Sequence, residues 1–333
     1  MRAAQLTAPG VVEVVDKSPP DSEGSAVIRM ETLGLCGTDL SIVAGKVPVE
    51  MPRVMGHEGI GTIEVAGSTG AFSIGQRVLI NPGLFCERCE LCRRGYPNLC
   101  PNGGLLGREV DGLFADYAAM DERQLLAVPD HVTADAAGVI QVLGTCVHAV
   151  SKAPVSPGDT AVVLGLGVSG QLIAQILAAQ GAQVVGVTRS EWKRELALQL
   201  GVTATAAPDQ AAAVVAELTN GRGSDVVFEA VGTVQTFSQA IELAGSAATV
   251  VFFGTTTGVG NGLPYYQLYY KELTLRNPRG ATMADYEQAI ALVADGVVNG
   301  APLVSARFSL EDVDGALAAT QESSTLKVLM EVE

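Results

Sequence analysis

The sequence predicts an α/β protein in which a doubly wound parallel sheet is set into a second, β-rich domain. Three observations along the 333 residues carry this expectation. Up to about residue 145, short apolar runs (Ser25–Thr32, Gly61–Ala66, Gln76–Ile80) alternate with Gly, Pro and Asp turns, and helical periodicity is scarce. From about residue 158, six β-rich runs follow: DTAVVLG, AQVVGVT, TATAA, SDVVFEAVG, ATVVFFG and ELTLRNP. The first two are separated by a helix-length segment and others by segments with helical spacing, as parallel strands joined by crossover helices require. Ser190 stands where it can cap the helix that ends before Gly201. After Gly280 a mixed pattern resumes, with Met283, Tyr286, Ile290 and Val293 on one helix face, Ser309 as cap of a short helix carrying Val313 and Leu317, and TLKVLMEV as a closing strand. Six strands already complete the parallel sheet, so this tail is expected to return to the first domain. The expected division is therefore 1–145 with 281–333, and 146–280.

Composition narrows the classes of function. The formal charge is −15 and no basic run of five or more occurs, which argues against nucleic acid or an anionic membrane as partner. Any phosphate site must then be built locally, from helix ends and a few basic residues. The first residues, MRAAQLTAPG, hold no apolar signal core, so a cytoplasmic location is expected. The longest apolar stretch, Ala161 to Ala179, is broken by glycines, Ser169 and two glutamines, and reads as strand, turn and buried helix rather than a membrane span.

The turn in that stretch is GLGVSG: Gly165, Leu166, Gly167, Val168, Ser169 and Gly170. Placed after the strand TAVVL and before the helix QLIAQILAAQ, it reads as a dinucleotide site. Gly165 permits the tight turn, Gly167 lets backbone approach a pyrophosphate, and Gly170 lets helix and strand pack closely; the helix N-terminus then offers free N–H groups. S-adenosylmethionine-dependent methyltransferases use similar turns. About 20 residues past the glycines, where an acidic residue would bind the ribose 2′-hydroxyl of NAD, the chain has Thr188, Arg189 and Ser190. A carboxylate would repel a 2′-phosphate, whereas a hydroxyl and a guanidinium would hold it, so NADP is favoured over NAD. Arg189 is expected to carry the discrimination, with Lys193 or Arg194 nearby.

Cys86, Cys89, Cys92 and Cys100 fall within the Pro- and Gly-rich segment 82–101. Four thiolates on one short loop can close a tetrahedral zinc site with no open position, a structural role. A four-Cys iron–sulfur cluster fits these spacings less well, and two disulfides sit poorly with the absence of a secretion signal.

The segment GLCGTDLSIVAGKVPVEMPRVMGHEGIG, Gly34 to Gly61, together with the four-Cys loop and the glycine-rich turn in this order, resembles the zinc-dependent medium-chain alcohol and polyol dehydrogenases. The likeness covers essentially the whole chain. It implies a GroES-like catalytic domain that includes the C-terminal tail, a Rossmann domain, and two zinc ions per chain. It implies Cys36 and His57 as ligands of a catalytic zinc, with Glu58 as the adjacent glutamate that reaches the metal in some members. Asp39 matches the carboxylate that orients the histidine, and Thr38 the hydroxyl that takes the substrate proton. Thr145 matches a residue beside the nicotinamide, and Lys327 a basic residue near the phosphates. A homodimer or homotetramer is the implied assembly.

Two departures matter. Ser41 replaces a histidine that in many relatives passes the proton to solvent, so the relay is expected to end through Ser41 and water. Gln141 stands where the third zinc ligand is usually Cys or Glu, which leaves the metal more positive unless Glu58 supplies the charge. Both tilt the expected substrate from simple alcohols to a sugar, cyclitol or polyol. Cys146 and His148 are read as structural and His131 as a surface residue. The four tyrosines of LPYYQLYY are read as packing before recognition, with a subunit contact as the other reading. The rival functions are a metal-free alkene or quinone reductase of the same superfamily, and a nucleotide-binding relative without turnover.

Overall fold

The computed structural model describes residues 1–255 and 262–332. The chain divides into two compact units: Met1–Gly144 with Ala281–Asp295 and Gly300–Glu333, and Thr145–Gly280 with Gly296–Asn299. The passage between them falls within one helix, Ile140–Val150.

The first unit is built on an antiparallel sheet whose order runs Leu125–Ala127, Arg77–Ile80, Gly59–Val65, Ala26–Gly34, Lys327–Glu331, Val304–Ser309, with the last pair parallel. Alternating residues of these strands (Ile28, Met30, Ile63, Val78, Ile80, Val328, Met330) enter one buried cluster with Leu113 and Phe114. Register decides what this sheet can do. Leu33 lies opposite Gly59 and Leu329 opposite Gly34, both antiparallel. The chain just past Gly34, just before Gly59 and at the start of the C-terminal strand therefore meets at one end of the sheet. The tail does return to this unit, but Ser309 is not its helix cap. A 3-10 turn, Leu310–Asp312, intervenes, and Asp312 caps Val313–Ala319 by accepting the Gly315 N–H at 3.2 Å.

The second unit carries six parallel strands in the order Ala204–Ala206, Gln183–Val187, Thr160–Leu164, Ser224–Glu229, Ala244–Phe252, Thr274–Arg276. Each matches one of the six β-rich runs of the sequence. The strand order reverses between Thr160–Leu164 and Ser224–Glu229, and in such sheets the crevice beyond the strand ends at that point takes the ligand. Ser190 occupies the N-cap position of Glu191–Gln199 but makes no side-chain cap bond. The tyrosines of helix Tyr265–Tyr270 are not core: Tyr265, Tyr266, Tyr269 and Tyr270 are 66–80% exposed, and Tyr266 stacks on Tyr270 at 5.9 Å. Among the described residues no helix is long and apolar enough to cross a membrane.

Candidate active site

The second unit holds a pocket of about 570 Å³ at the reversal point, walled by Gly165, Leu166, Gly167, Thr188, Arg189, Lys193 and the turn Ala230–Thr233. The glycines divide the work of the turn by their geometry. Gly165 has φ +93°, which an L side chain rarely adopts. A Cβ on Gly170 would overlap the carbonyl oxygen of Gly165, so only glycine lets the helix Val168–Ala179 start this close to its strand. A Cβ on Gly167 would meet nothing within 4 Å; it faces space into which a ligand can come. Gly167 is also the N-cap without a side-chain cap, so the first N–H groups of the helix stay open to an anion. At the far end, Arg189 is exposed and Thr188 half-buried. Lys193 lines the pocket, partly buried, and that burial lowers its pKa.

Two buried groups that sequence reasoning passed over shape this pocket. Glu229, fully buried at the end of its strand, accepts the N–H groups of Val231 and Gly232 at 2.9 Å each and so fixes the turn that walls the pocket. Gln171 donates to the carbonyl of Lys193 at 2.8 Å, tying the first helix to the segment that carries the lysine. An acid at the end of a β-run, in FEAVG, was the available signal for Glu229.

In the first unit, the meeting of strand ends brings together residues distant in sequence. Cys36 precedes the helix Gly37–Val43, and His57 and Glu58 lead into Gly59–Val65. One donor atom each from Cys36, His57 and Glu58 lies within 4.8 Å of the others, a spacing one cation can span. Asp39 accepts the Cys36 N–H through Oδ2 at 2.9 Å, and its Oδ1 lies 3.3 Å from Nδ1 of His57. Burial opposes charge on His57, but Asp39 and Cys36 outweigh it and hold the imidazole pKa well above its usual value. Glu58 Oε1 is buried and without a hydrogen-bond partner. Orphaned carboxylate oxygen, thiol and imidazole together form a donor set that fits zinc. Thr38 Oγ1 lies 3.7 Å from Cys36 Sγ, at the edge of the same cluster.

The thiols of Cys86, Cys89, Cys92 and Cys100 likewise converge within 4.8 Å. The backbone N–H of Arg88, the Asn102 side chain and the backbone N–H of Cys89 hold the Cys86 thiol down to about 6, toward the thiolate that a metal requires.

Comparison with known proteins agrees with these geometries. Residues 22–130 match the family model for the alcohol dehydrogenase GroES-like domain, and residues 168–295 the model for zinc-binding dehydrogenases. The 2-dehydro-3-deoxy-L-galactonate 5-dehydrogenase of Pseudoalteromonas atlantica is 30% identical over 299 residues, covering 89% of this chain and 87% of that one. The chain belongs to the zinc-dependent medium-chain alcohol and polyol dehydrogenases. Sorbitol dehydrogenase of Halalkalibacterium halodurans is 29% identical over 94% of this chain and 93% of its own. Among solved structures, a candidate zinc-binding dehydrogenase of Sinorhizobium meliloti bound to NADP superposes with a TM-score of 0.93 at 29% identity, covering 99% of this chain and 98% of that one. As a medium-chain dehydrogenase, the protein is an NAD(P)-dependent oxidoreductase of secondary alcohols.

The other candidate residues have partners of their own. Lys327 is 2% exposed, ion-paired through Nζ with Glu58 Oε2, and donates to the Leu35 carbonyl at 3.0 Å. Its strand register carries it to the cysteine–histidine cluster. Arg194 does not line the pocket; its Nη1 donates to the carbonyls of Thr188 and Arg189 at 2.8 and 3.0 Å, leaving Lys193 as the second cation there. Ser41 is turned to its own helix, Oγ donating to the Gly37 carbonyl at 3.0 Å. Thr145 lies half-buried in the helix Ile140–Val150 and is not among the pocket-lining residues. Gln141 is buried and donates Nε2–H to the hydroxyl of Tyr286 at 3.2 Å. Tyr286 looked like a core aromatic in its helix pattern; its polar end is what the pattern hides. Cys146 is buried and donates to the Ser169 carbonyl, outside either metal-type cluster, and His131 is exposed.

Proposed function

We propose that the protein is a zinc-dependent polyol, sugar or cyclitol dehydrogenase that favours NADP. The observation that carries this is the Cys36–His57–Glu58 donor set, its cysteine half-buried and its histidine and glutamate buried, with an orphaned carboxylate oxygen. Zinc held there and a nicotinamide in the glycine-rich pocket supply the two chemistries side chains lack, Lewis acidity and hydride transfer. The chain's own residues do the rest. Asp39 keeps His57 in the tautomer that presents Nε2. Thr38, beside Cys36, is the hydroxyl placed to take the substrate proton. Gln141 would add a neutral oxygen rather than a second thiolate or carboxylate, which would leave a zinc held there more positive. The four-Cys loop holds a second, structural zinc. A hydroxylated substrate is supported by relatives that act on sorbitol and on a sugar acid. A metal-free alkene reductase would have no use for this donor set. A homodimer or homotetramer completes the reading, supported by the exposed tyrosine face.

NADP preference rests on Thr188, Arg189 and Lys193 around the pocket's far end, with no carboxylate among its lining residues, and on the NADP found in the Sinorhizobium structure. The test is kcat/KM with NADP+ and NAD+ across a panel of polyols, cyclitols and sugar acids. NADP+ is expected to win, and Arg189→Ala to cut that preference about tenfold or more. NAD+ serving equally well in the wild type sinks the cofactor assignment. Zinc analysis of Cys36→Ser should show loss of one zinc per chain, the loop zinc remaining.

A further inference from the structure

The charge on Glu58 is contested. Its Oε2 is ion-paired with Lys327, both residues 2% exposed, and its Oε1 is buried with no partner. Lys327 is fixed twice, by this pair and by the Leu35 carbonyl next to Cys36 at 3.0 Å. The backbone makes room for it: a Cβ on Gly34 would overlap both Glu58 Oε2 and Lys327 Nζ. The arrangement also depends on the pairing of the C-terminal strand with Ala26–Gly34, which sets Leu329 opposite Gly34. A buried ammonium gripping one oxygen of a metal-ligating carboxylate does two things. It prevents that carboxylate from turning both oxygens to the cation, and it adds a positive charge near the cation.

We propose that Lys327 is a positioning residue that restrains Glu58 by one oxygen, so that Glu58 offers the catalytic zinc a single oxygen and the site stays electrophilic. This rests on the zinc reading of the Cys36–His57–Glu58 cluster. Together with neutral Gln141, it gives a shell in which one full thiolate charge and a shared carboxylate face the metal.

The test uses the full-length protein with Lys327→Met, Lys327→Arg, Glu58→Gln and the double variant Lys327→Met/Glu58→Gln. Zinc affinity is read by competition with a chromophoric chelator, and ligand number by the visible spectrum of protein carrying cobalt(II) at the catalytic site and zinc in the four-Cys loop. Lys327→Met is expected to hold its catalytic-site metal about tenfold more tightly. Its cobalt band should weaken, as bidentate Glu58 raises the coordination number. Lys327→Arg should resemble wild type, and in the Glu58→Gln background Lys327→Met should change neither readout. Unchanged or weaker affinity in a folded Lys327→Met protein overturns the inference, as does an equal effect with Glu58→Gln present. Should Lys327→Met not fold, Lys327→Gln is read in its place: tighter binding of the catalytic-site metal supports the restraint, and unchanged or weaker binding overturns it. If Cys36→Ser leaves the zinc count unchanged, the zinc reading itself falls and this inference with it; if Cys36→Ser loses one zinc while Lys327→Met changes nothing, only the inference falls.

Discussion

Gln141 and its partner Tyr286 show how one side chain sets the character of a site. Tyr286 takes the amide N–H at 3.2 Å, so the amide oxygen, the only atom through which an amide ligates zinc, is not used in this pair. Tyr286→Phe leaves a buried N–H without an acceptor and should cost about 1–2 kcal/mol, read by urea denaturation. Gln141→Glu restores an anionic ligand. We expect zinc retained against chelator about tenfold better, with slower turnover because the metal is less electrophilic; unchanged zinc retention would count against Gln141 as a ligand. Cys146 gives a test of a different kind. Burial pushes its thiol up to about 12, and it lies outside both donor clusters. Iodoacetamide at pH 8 should therefore leave it unmodified in the native metal-stripped protein while Cys86, whose thiol is held down to about 6, reacts, and all six thiols should react once urea unfolds the chain.

At the scale of an element, the strand–turn–helix around Gly165–Gly170 separates folding from binding. Gly170→Ala forces a Cβ into the Gly165 carbonyl, so both the melting temperature and cofactor affinity should fall. Gly167→Ala meets open space in the protein alone, so its melting temperature should match wild type while NADPH affinity drops about tenfold, measured by nucleotide fluorescence. If both variants lost stability equally, the assignment of Gly167 to ligand approach would be wrong. The end of the antiparallel sheet is the corresponding element in the first unit. Three strand ends, set by two registers, gather Cys36, His57, Glu58 and Lys327 from positions as far apart as 36 and 327.

For the whole molecule, the metals and the surface are the open quantities. Metal analysis should find about two zinc per chain, and chelation of the loop zinc should lower the melting temperature, because the segment around Cys86–Cys100 has no buried residue in its short helices. The tyrosine face of helix Tyr265–Tyr270 is exposed, and so are all three residues of the edge strand Thr274–Arg276 that follows it in sequence. An exposed aromatic patch and an unpaired strand edge are surfaces that folded chains cover. Light scattering should report an oligomer, and Tyr266→Ser with Tyr270→Ser should shift it toward monomer; a monomeric wild type rules the oligomer out.

Local pattern made much of this protein legible. Hydrophobic runs and turn residues marked the six parallel strands: the central ones bury contiguous apolar segments, whereas the edge strand Thr274–Arg276 is exposed and was marked by its β-rich composition. Close spacing exposed the four-Cys loop, and the three glycines exposed the turn, because in both cases the chemistry needs residues adjacent in sequence. Resemblance named Cys36, His57, Asp39 and Gln141. What no local pattern holds is register. Resemblance placed Lys327 near the phosphates, but its pairing with Glu58 left no trace in the sequence: the register that sets Leu329 opposite Gly34 brings the two together. Arg194 turns back on the carbonyls of its own turn, and Tyr286 shows a hydroxyl to Gln141, because side-chain direction is set only when the elements pack. Sequence determined which groups are present and which lie side by side along the chain. Tertiary structure decided which charges meet, since electrostatic partners are chosen by distance in space, and that choice fixes the character of Glu58.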